Sequence, residues 1–138
     1  MRRIPLLAAV VGVAVTLWAE DMAANEQAAL NVTRSMMKIQ RNFMREHPGS
    51  GYACRISDLG AAGLVDPGVA SGKSNGYKYE LRCPGKATPR TEFEFVARPQ
   101  DYGHSGNRIF CTTQQGQVFS SSDNDPKTCL VAGQRIKD

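Results

Sequence analysis

The stretch DMAANEQAALNVTRSMMKIQRNFMR, Asp21 to Arg45, decides the fold. Within it Ala29, Val32, Met36, Ile39 and Phe43 recur at alternating steps of three and four, the spacing that places side chains on one face of an α-helix. Gln27, Asn31, Arg34, Lys38, Arg41 and Asn42 occupy much of the remaining circumference. The segment therefore reads as one amphipathic helix with a single apolar stripe, and such a stripe has to be covered. The second half of the chain supplies the cover. The pattern predicts an α+β fold, with a long N-terminal helix over about 21–45 packed on a small antiparallel sheet of three to four strands.

Downstream, His47-Pro48-Gly49 ends the helix, because proline disfavours continuation and glycine releases the turn. Residues 46–76 read as a loop rich in Gly, Ala and Ser, in which Leu59, Leu64 and Val65 can dock on the helix through a single helical turn. Asp66-Pro67-Gly68 and Ser71 to Gly76 read as turns. Tyr77 to Arg82 alternates, with Tyr77, Tyr79 and Leu81 on one face and Lys78, Glu80 and Arg82 on the other. Glu92 to Arg98 repeats the pattern with Phe93, Phe95 and Ala97 inward, so the two segments form an antiparallel pair. Arg108 to Thr113 and Gln117 to Ser120 predict a hairpin around Gln114-Gln115-Gly116. The tail from Ser121 to Asp138 holds few large apolar residues and is expected to wrap the sheet edge as a loop pinned through Cys129.

Upstream, Arg2 and Arg3 precede an almost wholly apolar run from Ile4 to Trp18, and Ala19 precedes Glu20 and Asp21, the layout of an export signal. Residues 1–19 are thus a signal peptide or a membrane anchor, and 20–138 a single domain. Residues 4–19 would span roughly 24 Å as a helix against a hydrocarbon core of about 30 Å, marginal for a permanent inner-membrane tether. Leu17 is bulky where a signal peptidase prefers a small residue, which leaves an uncleaved tether open beside cleavage after Ala19. The formal charge of +4 rests on 17 basic and 13 acidic residues; without Arg2 and Arg3 it is 15 against 13, or +2. That balance is too weak for a nucleic-acid footprint, and no nucleic-acid partner is expected.

Cys54, Cys83, Cys111 and Cys129 contain no CxxC pair and no neighbouring histidine cluster, which argues against a zinc knuckle or a thioredoxin-type motif. An even count behind an export signal reads as two structural disulfides. Three pairings are open to the sequence. Cys54 with Cys83 would tie the post-helix loop to the first strand, Cys111 with Cys129 would close the C-terminal loop, and these two are favoured.

Catalytic chemistry finds little to work with. His47 and His104 stand at a helix end and in a glycine loop, Ser50, Ser105 and Ser120 lack a nucleophile-elbow context, and Glu92 and Glu94 lie on a strand's solvent face. Asp123-Asn124-Asp125 offers oxygen ligands but lacks the glycine and terminal glutamate of a calcium loop. Asn31-Val32-Thr33 matches a glycosylation sequon in mid-helix, and Met22, Met36, Met37 and Met44 read as packing residues. No catalytic, metal or cofactor residue is assigned. Arg34, Lys38, Arg41 and Arg45 form a basic ridge, read first as a solvated face and second as a surface for a membrane or an acidic partner.

The order of features also meets a family. Met22-Ala23-Ala24-Asn25-Glu26 enters the helix, Gly51-Tyr52-Ala53-Cys54 follows it, and Leu59-Gly60, Gly63-Leu64-Val65-Asp66 and Ala70-Ser71-Gly72-Lys73-Ser74-Asn75-Gly76-Tyr77 come next. Arg108-Ile109-Phe110-Cys111 then leads to Gly116-Gln117-Val118. Over about Met22 to Phe119 this resembles the type IV pilins and type II secretion pseudopilins, most closely pilin-like proteins of the acidobacterial kind. The resemblance implies a non-enzymatic, exported structural or surface-associated protein at the periplasm or cell surface, partnered by itself or by other pilin-like subunits. The front departs from the family: there is no Gly-Phe cleavage pair, Gly12 is followed by Val13, and Glu20 lies after the apolar run rather than inside it. The departure implies a minor component rather than a major filament subunit. The alternative is a freestanding secreted or periplasmic binding module that meets its ligand through Pro99 to Asn107 or the C-terminal loop.

Overall fold

The computed structural model describes residues 11–137, with side chains from Asp21 onward. The leader expected over 1–19 lies largely outside these residues. Helix α1 runs Val11–Glu46, and its length of 36 residues corresponds to roughly 54 Å. It ends where expected: the His47 amide still bonds the Phe43 carbonyl at 2.9 Å, and Pro48 then breaks the series.

Two short helices follow, α2 (Ile56–Ala61) and α3 (Pro67–Ala70), then strands β1 (Lys73–Ser74), β2 (Tyr77–Arg82), β3 (Glu94–Pro99), β4 (Ile109–Thr113) and β5 (Val118–Ser121). Helix α4 (Pro126–Ala132) and strand β6 (Gln134–Arg135) complete the order. The sheet has six strands in sequence order, every neighbouring pair antiparallel. Opposite residues such as Tyr79, Ala97 and Phe110 line up across β2, β3 and β4. Because side chains alternate, that register places Tyr77, Tyr79, Phe95, Ala97, Phe110 and Val118 together on the face that α1 covers. Phe93, just ahead of β3, joins them. The opposite face carries a smaller cluster of Val96, Ile109 and Cys111 beneath Cys129 of α4.

Several expectations need correction. The sheet is six-stranded rather than three- to four-stranded, because two-residue strands are added at each edge. Residues 46–76 are not all loop: the Asp66 side chain caps α3 by accepting from the Val69 amide at 2.9 Å, and β1 enters a tight hairpin through Asn75 and Gly76. The C-terminal segment is likewise not an irregular wrap, since Asp125 caps α4 through the Lys127 amide at 2.9 Å and Pro126 occupies the helix start. Asp66-Pro67, expected as a turn, and Asp125-Pro126 both begin helices.

Gly51 shows why the post-helix loop has its composition. It sits at φ +73° against the Arg90 backbone, so any Cβ would collide there. The approach lets the Tyr52 amide bond the Arg90 carbonyl at 3.1 Å and the Arg90 amide bond the Ser50 carbonyl at 3.0 Å. Two disulfides, Cys54–Cys83 and Cys111–Cys129, tie this loop to the end of β2 and α4 to β4. Disulfide bonding fits an oxidising, exported setting. Among the described residues no helix is long and apolar enough to cross a membrane.

Candidate functional surface

Helix α1 presents two opposed faces. Its packed line runs Ala29, Thr33, Met36, Gln40 and Phe43, all buried, with Leu30 beside them. Ala29, Met36 and Phe43 of the sequence-predicted stripe stand on this line, whereas Val32 and Ile39 are half-buried. They line a shallow hollow of about 250 Å³ with Leu64, Val65 and Val69. The packed face is therefore rotated, by roughly half of one residue's 100° step, toward two polar side chains. Those chains tolerate burial because each is satisfied. The Thr33 hydroxyl donates to the Ala29 carbonyl at 2.8 Å, and Gln40 clamps Ala53, donating to its carbonyl at 2.9 Å and accepting from its amide at 2.8 Å. Ala53 lies thirteen residues on, so nothing local in the sequence announces the clamp.

Toward the front, α1 is fastened to the loop between β3 and β4. Asn25 donates to the Ser105 carbonyl at 3.1 Å, and Glu26 accepts from the Asn107 amide at 2.9 Å and from Arg108 Nε at 3.3 Å. Beneath them the Tyr77 hydroxyl donates to the Arg108 carbonyl at 2.7 Å. Burial, helped by the nearby Glu26 carboxylate, keeps that phenol protonated well above the usual tyrosine range. Gly106 packs flat on the same ring, leaving no room for a Cβ.

On the far side of α1, Arg34, Lys38, Arg41 and Arg45 are all exposed. Elsewhere in the molecule four arginines find acids: Arg55 with Asp58, Arg82 with Glu94, Arg98 with Glu80 and Arg108 with Glu26. Among the described residues, none of the four ridge side chains has an ion pair, hydrogen bond or ring contact.

The remaining candidates are occupied structurally. His47 stacks on Phe43 with ring centroids 4.3 Å apart, and its Nδ1 lies 3.1 Å from the Phe43 carbonyl. His104 lines an open hollow of about 420 Å³ with Asp21, Asn25, Asp101 and Ser105. The two histidines thus sit near opposite ends of the packed part of α1, roughly 30 Å apart, and form no catalytic pair. Ser105 Oγ is spent on the Asp101 backbone, accepting from its amide at 2.9 Å, and Ser120 is buried in the sheet. Ser50 lies in the exposed turn after the helix. Glu94 is paired and Glu92 is exposed.

Asp125 caps α4, and Asp123 accepts from the Asp125 amide at 3.2 Å. A hydrogen bond from the Thr128 side chain, with further donors from the Asp125 backbone and Ser121, holds the Asp123 carboxyl below the usual range. The aspartates thus organise a helix start. Among the described residues no three His, Cys, Asp or Glu side chains group as metal ligands.

With this geometry established, comparison finds no matching family profile, characterised protein or solved structure.

Proposed function

We propose that the chain is a non-enzymatic, exported, pilin-like structural or surface-associated component that works through protein contacts of its helix and loops. One observation carries the reading. The earliest described hydrogen bond from α1 to the rest of the molecule is made by Asn25, and from Asp21 onward the first fully buried residue is Ala29. The helix is already present at Val11, the first described residue, inside the apolar run of the sequence. The described helix is thus continuous from the later part of the apolar run into the disulfide-bonded head, which supports a form suited to holding the head beside other subunits at the periplasmic or outer surface. The warrant is likeness of architecture, since sites rather than folds define activities.

A second reading has its own support. The helix's packed line is fully used by its own sheet, as a freestanding secreted binding module would require. Leader fate separates the two. The full chain is produced in a bacterial host with an intact export pathway, the envelope is fractionated, and intact mass is measured with and without reductant. Retention of residues 1–19 in the membrane fraction, with a gain of about four hydrogens on reduction, is the expected result. Soluble protein lacking residues 1–19 selects the binding module. Four free thiols would sink export itself.

A further inference from the structure

We propose that the basic ridge of α1 is a docking face for an acidic helix of a partner protein. The inference rests on the reading of this chain as a component that works through protein contacts, and it names the surface and the chemistry of the partner.

The cations follow steps of four, three and four from Arg34 to Arg45, a row roughly 16 Å long on the side of α1 turned away from the sheet. Like charges at these steps repel along a helix, and among the described residues no acid pairs with any of the four, although four other arginines, Arg55, Arg82, Arg98 and Arg108, each pair with one. On one flank of the row the positions are short and polar, with Asn31 and Ser35 exposed and Asn42 half-buried; on the other Met37 and Met44 are half-buried, Met37 packed against the core. A second helix could therefore approach to the usual 8–10 Å between axes, roughly. Carboxylates at the same four-three-four spacing would meet all four cations. Because that spacing reads alike in both directions, parallel and antiparallel docking are both served.

Two other anionic partners fit less well. A bilayer holding the apolar run to Trp18 lies roughly 24 Å along the helix from Arg34 and about 40 Å from Arg45, against a screening length of about 8 Å. A helix lying flat on a membrane needs an apolar face to insert, and here that face is the protein's own core. A nucleic-acid surface would add exposed aromatics for stacking, and the exposed positions beside the ridge, Gln27, Asn31 and Ser35, carry none.

The test uses the full chain in neutral detergent and a labelled alanine-rich helical peptide bearing glutamates at four-three-four spacing. Competitors are a scrambled peptide of equal composition, duplex DNA and vesicles of mixed phosphatidylglycerol and phosphatidylcholine. The expected result is salt-sensitive binding of the patterned peptide, at least about tenfold tighter than the scramble. Arg34→Gln, Lys38→Gln, Arg41→Gln and Arg45→Gln together should weaken it by about tenfold or more, and Arg55→Gln should leave it unchanged. Circular dichroism on the quadruple variant checks that it remains folded. Equal binding of the scramble, or tighter binding of DNA or vesicles, overturns the proposal. The two tests fail separately: a leaderless soluble chain would remove the assembly reading while the ridge's preference stayed measurable, and a tethered chain blind to the peptide would remove the ridge alone.

Discussion

The two faces of the sheet are held by different means. The face toward α1 carries Tyr77, Tyr79, Phe93, Phe95, Phe110 and Val118 against Ala29, Met36 and Phe43, with Leu59 and Val69 closing one side. The other face offers only Val96, Ile109 and Cys111, with Phe119 and Leu130 partly covered, and much of β2 and β3 there is occupied by the Glu80–Arg98 and Arg82–Glu94 pairs. Exposed ion pairs contribute little, roughly 0–1 kcal/mol each. A seven-residue helix is marginal alone, so on this side the Cys111–Cys129 bond does what buried area does on the other. Large apolar area holds one face and a covalent tie holds the other.

The contrast is broken most forcefully at Phe95, which is fully buried and stacks on Tyr79 with centroids 6.0 Å apart. Phe95→Ala should cost about 3–5 kcal/mol in urea unfolding, and a loss under 1 kcal/mol would mean that the face repacks freely. Next comes the tie. Replacing Cys111 and Cys129 together by Ala should cost about 3 kcal/mol. Hydrogen exchange should show the loss of protection concentrated in α4 and β6, with β2 and β3 unchanged until global unfolding. Equal loss across the sheet would show that the outer face was never a separate unit.

The inner face also contains the polar clamp. Gln40→Met keeps the volume but strands the buried amide and carbonyl of Ala53, and should cost about 2–3 kcal/mol. Alkaline titration probes the same face. Burial, with Asp66 adding, pushes the Tyr79 phenol up to about 12, whereas the unfolded chain ionises it near 10. Because the folded state keeps its proton longer, this stability is intact below about pH 10 and falls as pH rises toward 12, by on the order of 2 kcal/mol. Melting curves between pH 9 and 12 should show the fall, and Tyr79→Phe should reduce it.

What the sequence made legible follows from the range of the forces involved. Alternation disclosed β2, β3 and the β4–β5 hairpin because period two is a local property, and the helix was plain from its three-four steps. The rotation of its packed face was hidden, since burying Thr33 and Gln40 depends on partners supplied by the fold, one of them thirteen residues away. β1 and β6, at two residues each, are too short to carry any period. α3 and α4 were missed for a different reason. Their signal was present, an aspartate cap followed by proline; at α3 it competes with the turn chemistry those residues also favour, and at α4 it stands in a tail with few large apolar residues to mark a helix. The ridge cations are visible in the sequence as a row; that none of them forms an ion pair among the described residues depends on where the fold places the acids.

The smallest predicted effect is the sharpest test of the two-face contrast. Asp125 accepts from the Lys127 amide and caps α4, and Asp125→Ala should cost about 1 kcal/mol in the native background. If α4 is held mainly by Cys129, the same substitution made after Cys111 and Cys129 have both become Ala should cost almost nothing, because the helix would already be released before the rest unfolds. The cost would then be strongly non-additive between two sites on one short element. An equal cost in both backgrounds would show α4 folded without its tie. Val96, Ile109 and Leu130 would then be holding the outer face as the aromatic residues hold the inner one.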